Sequence, residues 1–244
     1  MPKYFKITSP DGTSFYDSKT KYVAGKTVRK KVRENPVICS RDVLHASSTI
    51  MDALKYARIP LAIHVVEGDP VVSDDDKSGF FSLKVVETLP ESEYDNLLGF
   101  RYREACNPVK PMKIENEVVN EDIASLMKWD SVRVYVWKSV RDSVWDSVRV
   151  SVWKSVWVSV RVSVWKSVWD SARDSVWDSV NAYIGSLFLG VQEWKYVKHG
   201  AAYPFQPAVD LWKRGFVPVK IDGRWHLYGW RNGKAVSLYE DGVR

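Results

Sequence analysis

Two groups of residues in this 244-residue chain have the types and spacing to do chemistry. The first is Cys39 with His45, a thiol and an imidazole six positions apart. Such a pair can act as nucleophile and base when a cation or base activates the sulfur and a third group orients the imidazole. Asp42 is the one nearby residue that could serve as that third group. The reading favoured by a strand-to-loop segment is a packed thiol and a hydrogen-bonded imidazole, so Cys39 and His45 stand as weak catalytic candidates only. The second group is a regular series of Trp and Arg within the stretch from Ser131 to about Val180.

Written in fours from Ser131, the chain runs SVRV, YVWK, SVRD, SVWD and onward to about Val180. Serine and valine hold the first two positions, with Tyr135 and Ala172 as departures, and the third is either Trp or Arg until Asn181. A position that takes either indole or guanidinium is not sealed in a core, because an unpaired buried guanidinium costs several kcal/mol. Serine and valine are therefore expected to face inward. The outward interaction residues are then Trp137, Arg141, Trp145, Arg149, Trp153, Trp157, Arg161, Trp165, Trp169, Arg173 and Trp177. Ser147–Val158 and Ser159–Asp170 match at every position but the last, as an array grown by duplication would. An array whose length changes in this way is a poor place for a catalytic site.

The exposed indoles and guanidinium groups suit two partners. They can zip to one another between copies, with cation–π contacts worth about 0.5–2 kcal/mol each, or they can stack bases and neutralise phosphates. Asp142, Asp146, Asp170, Asp174 and Asp178 would repel a phosphate backbone. Self-association or a protein partner is therefore expected ahead of nucleic acid.

Few other motifs carry chemistry. Asp74-Asp75-Asp76 lacks the alternating oxygens and the glycine of a calcium loop, and no phosphate-binding glycine loop or serine triad is present. No metal site and no cofactor are expected. Two cysteines, Cys39 and Cys106, are too few for a disulfide scaffold or a zinc cage. A net charge of +6 permits a nucleic-acid or anionic partner without arguing for one. No run of apolar residues is long enough to span a membrane and no secretory signal opens the chain, so a cytoplasmic location is expected, host cytoplasm or virion included.

The elements that must position these residues are short. Up to Glu87, apolar runs alternate with turn signals such as Asp11-Gly12 and Gly68-Asp69-Pro70. Ser47-Ser48-Thr49 offers a helix cap before Ile50, Met51, Ala53, Leu54 and Ala57, while Leu61–Glu67 and Phe80–Val86 each read as a strand. The array is harder to place. Its freedom from Gly and Pro and the acidic start at Asn120-Glu121-Asp122 favour helix, whereas Val and Trp favour strand. A four-residue period also overshoots the helical turn by roughly 40° per repeat, so a β-solenoid stays open as the alternative to a long helix. Beyond it, Pro207 starts a helix that ends at Gly215, and Asp222-Gly223 and Asn232-Gly233 turn a three-stranded meander.

Three stretches resemble uncharacterised phage and bacterial proteins. The first combines Gly25-Lys26, Cys39–Ala46, Asp52–Ala57, His64–Val72 and Asp76-Lys77, and departs from the usual pattern at Val43, where a glycine is expected. The second is the array, whose counterparts are Ala-rich tetrapeptides with the same Trp/Arg alternation. The third is Tyr203–Trp212 with Arg224–Leu227. The resemblance implies a phage-like origin and no stated activity.

The expected fold is α+β: a mainly antiparallel module over residues 1–111, the array and its lead-in helix over 112–190, and a helix with a meander over 191–244. The expected function is that of a non-enzymatic phage- or prophage-type structural or interaction protein assembling through its array. A nucleic-acid-binding protein using the Trp/Arg surface and a small enzyme built on Cys39 and His45 are the alternatives.

Overall fold

The computed structural model describes residues 2–145, 158, 166–191, 193–197 and 202–242. The chain is α+β, with antiparallel sheets and a set of mostly short helices. Its described residues divide into two compact units, one running to Gly99 and the other from Phe100 onward.

The first unit is built from β1 (Lys3–Thr8), β2 (Thr27–Arg29), β3 (Leu44–Ala46), α1 (Ile50–Leu54), β4 (Ala62–Glu67), β5 (Val72–Ser73), β6 (Ser78–Phe80), β7 (Ser82–Thr88) and α2 (Tyr94–Leu98). One antiparallel sheet has the order β1-β4-β7-β2 and a smaller one the order β3-β6-β5. The apolar run expected as a single strand at Phe80–Val86 is divided at Phe81, because its two halves serve different sheets: β6 pairs with β3, and β7 with β4. Leu83 and Val85 point inward along β7 while Lys84 and Val86 point out, the two-residue period of a half-buried strand. They join Tyr22, Leu44, Ala46, Val66 and Phe80 in a buried cluster. Helix α1 starts where the cap residues require, with the Thr49 hydroxyl accepting the Asp52 N–H. It packs on β1, placing Ala53 beside the strand that carries Phe5, Lys6 and Ile7.

The second unit contains α3 (Tyr102–Cys106), α4 (Asn120–Val132), α5 (Val136–Trp145), α6 (Lys166–Ser186), α7 (Gln206–Lys213) and the meander β8 (Val217–Ile221), β9 (Arg224–Arg231) and β10 (Lys234–Glu240). Both hairpin turns put two successive residues at positive φ, Asp222 and Gly223, then Asn232 and Gly233, the backbone of type I′ turns. Helix α4 begins at Asn120, and the Asp122 carboxylate accepts the Val119 N–H at 3.0 Å. Arg214 closes over the same carboxylate at 2.6 Å and ties α4 to the end of α7. Trp212 and Tyr183 stack at 5.1 Å in the interior, and burial of such rings stabilises by about 1.5–3 kcal/mol each.

Among the described residues the array is helical, in α5 and α6, which pack on one another. A 3₁₀ turn at Arg133–Tyr135 separates α5 from α4. Val136, Val140 and Val144 turn through roughly 80° along an ideal helix, so all three fit one buried face. Ser139 and Ser143 fill the same face, and their small side chains let the neighbouring backbone approach.

Candidate functional site

The array's outward residues can be followed at three positions. Trp137 is 40% exposed, Arg141 lies on the same outer side, and Trp177 of α6 is half-buried. The Trp137 and Trp177 rings stand 6.2 Å apart and the Arg141 guanidinium 5.8 Å from the Trp137 ring. Arg141 also donates to Asp142 at 2.7 Å, and Asp142 accepts the Tyr196 hydroxyl at 2.8 Å. Valine and serine at Val176, Ser179 and Val180 are buried, as they are in α5. Arg149, Trp153, Trp157, Arg161 and Trp165 lie outside the described residues, as do the side chains of Trp145, Trp169 and Arg173.

Cys39 and His45 meet in the first unit, but through the cysteine backbone. The Cys39 N–H donates to His45 Nε2 at 3.1 Å, and the Tyr16 hydroxyl donates to the Cys39 carbonyl at 2.9 Å. These two bonds hold Cys39 at φ 67°, a left-handed backbone that costs a residue with a side chain about 1 kcal/mol or more. Because Nε2 accepts, the ring proton sits on Nδ1 and the imidazole is neutral. Burial lowers the His45 pKa to about 4, and the Lys6 and Lys77 charges push it the same way. His45 is therefore a backbone anchor for Cys39. Asp42, the orienting group suggested by sequence, pairs with Arg33 at 3.5 Å.

Neither a protein-family model, nor a curated protein, nor a solved structure matches this chain. Its chemistry has to be read from its own geometry.

Around Cys39 lies a cavity of about 290 Å³. Phe5, Ile7, Phe15 and Ala53 give it an apolar wall, and Tyr16 and Tyr56 add aromatic rings. Its charged lining is entirely cationic: Lys6, Arg58 and Lys77. Burial opposes the charge on Lys77, yet hydrogen bonding to the Cys39 sulfur and the Tyr56 hydroxyl outweighs it and raises the ammonium pKa. Lys6 is the opposite case. Burial lowers its pKa to about 8, against the pull of Asp17. Its ammonium rests 5.2 Å from the Tyr22 ring, and among the described residues no carboxylate comes within ion-pairing distance. Asp17 is engaged elsewhere, by Thr20 and by Lys30 at 3.8 Å.

The acidic run beside this cavity is structural. The Asp74 carboxylate accepts the Asp76 and Lys77 N–H groups, and Asp76 accepts from Lys55 at 2.7 Å and from Tyr56. Among the described residues no cluster of His, Cys, Asp and Glu is arranged to hold a metal ion, and no helix is long and apolar enough to cross a membrane. Sequence reasoning found Cys39 and His45 but missed Lys6, Tyr16 and Lys77. Tyr16 and Lys6 carry no local signal, since only the folding of β1 against β3 and the Ser9–Tyr22 loop brings them near Cys39.

Proposed function

We propose that this chain is a non-enzymatic structural or interaction protein, of phage or prophage type and cytoplasmic, that associates with copies of itself through the outer face of its array. The observation that supports this most is the division of labour in α5: valine and serine are used up inside the chain, while Trp137 and Arg141 remain on its surface. A symmetric pair of copies needs a self-complementary patch. A face that alternates indole, guanidinium and carboxylate meets that condition, and Trp137, Trp177, Arg141 and Asp142 already make such contacts within one copy. The Arg141–Asp142 pair counts against nucleic acid, because the guanidinium that would meet a phosphate has a carboxylate at 2.7 Å. The enzyme alternative is weakened by His45, whose Nε2 accepts a backbone N–H and faces no substrate proton.

Light scattering on the full chain across a dilution series tests the proposal. The expected result is a mass that rises with concentration and a weaker association in Trp137→Ala/Arg141→Ala. A monomer at every concentration overturns it, and a salt-dependent shift of single-stranded oligonucleotides would restore the nucleic-acid alternative.

A further inference from the structure

We propose that the cavity beside Cys39 is a binding site for a small organic anion, a single acid group carried on a flat apolar body. Three observations converge on this class of ligand. The volume, about 290 Å³, lies at the lower end of the range of small-molecule sites, roughly 300–1,000 Å³, so the occupant is small. The wall of Phe5, Ile7, Phe15 and Ala53, with Tyr16 and Tyr56, offers apolar and aromatic surface for a flat body. The charges are all of one sign, and they are not equally satisfied.

Lys77 donates to the Tyr56 hydroxyl at 3.0 Å, which holds its ammonium in place without neutralising it. Arg58 has an exposed side and no carboxylate partner among the described residues. Lys6 is the decisive group. It is half-buried between β1 and the Ser9–Tyr22 loop, its ammonium rests against the face of Tyr22, and Asp17, the carboxylate that acts on it, is already engaged by Thr20 and Lys30. Keeping a cation in such a place costs free energy that an acid group in the cavity would offset. His45 reports the same field from the cavity wall, since the charges of both Lys6 and Lys77 disfavour its protonation. A neutral apolar ligand would leave this field unanswered, and a cationic one would be repelled by it.

The test compares two fluorescent probes that differ by one group, anilinonaphthalenesulfonate and its uncharged twin phenylnaphthylamine, on the full chain. One sulfonate probe per chain is expected, bound about tenfold or more tightly than the neutral twin, as one unscreened charge contact at a partly buried site allows. Lys6→Met should remove most of that difference while leaving the neutral probe's affinity alone. It should not unfold the unit, because it replaces a half-buried charge by an apolar side chain of similar length, and amide exchange across β4 checks this. Location is read from the cysteines: saturating sulfonate probe should slow alkylation of exposed Cys39 and leave Cys106 unaffected. Equal affinity for the two probes, an affinity gap that survives in both Lys6→Met and Lys77→Met, or unprotected Cys39 each overturns the proposal.

Discussion

His64 gives the sharpest quantitative test of the first unit. Its ring is 2% exposed and bonded at both nitrogens, to the Thr8 hydroxyl at 2.9 Å and the Thr88 hydroxyl at 2.8 Å. The Thr8 hydroxyl donates to the Ser9 carbonyl, so His64 Nε2 must donate to Thr8 and Nδ1 must accept from Thr88. That arrangement is fitted to a neutral imidazole. Burial, aided by the Lys6 charge, lowers its pKa from 6.5 to about 4. The folded state thus binds the proton less readily than the unfolded chain, and stability that is complete above the unfolded pKa drains away as pH falls toward the folded one. Between pH 7 and pH 5 the linkage relation gives a loss of about 2 kcal/mol, and below pH 4 the loss levels off near 3 kcal/mol. His45 adds a smaller share of the same sign, reduced because its ring is partly solvated. All twelve tryptophans lie at Trp129 or beyond, so indole fluorescence does not report on this unit. Amide exchange does. Protection factors in β4, corrected for intrinsic rates, should fall by more than tenfold from pH 7 to pH 5, and the His64 ring should titrate near 4 by NMR. An imidazole titrating near 6.5, or unchanged protection in β4, would refute the reasoning.

Other outcomes follow from the second unit. Val140→Ala removes a fully buried side chain between α5 and α6 and should cost about 1–3 kcal/mol by chemical denaturation followed through indole fluorescence. Trp137→Ala, at a 40% exposed position, should cost less stability than Val140→Ala and act mainly on association in light scattering. Arg214→Ala strips the cation from the buried Asp122 carboxylate and should destabilise by about 2 kcal/mol or more in the same denaturation, with Asp122→Asn restoring part of the loss. Gly185→Ala should lower the thermal midpoint, because a Cβ there would run into the Tyr203 hydroxyl and come within 2.9 Å of Val140 Cγ2.

What could be read from the sequence was whatever local chemistry decides. Thr49 capped its helix, Asp222-Gly223 and Asn232-Gly233 made their turns, and Pro207 and Gly215 bounded α7, because each depends on φ, ψ or a hydrogen bond within a few residues. The α+β class followed from these. The inward valines and serines of α5 were legible for the same reason, as a mixed Trp/Arg position excludes the core. The sheet change at Phe81 was not legible, since Phe80 and Leu83 are equally apolar and only their partners differ. Nor was the cavity. Lys6, Tyr16, His45 and Lys77 lie far apart along the chain, and their common surroundings are a product of tertiary pairing.

The four-residue period has a consequence for how such a chain can vary. A duplicated unit inside a helix does more than lengthen it by about 6 Å, because it also turns every later residue by roughly 40° about the axis. Nine added units are needed before the phase returns, about 36 residues or ten turns. Gain or loss of a single unit is therefore a rotation of everything downstream, and length variants of the array would differ in the compass bearing of their tryptophans as much as in their number.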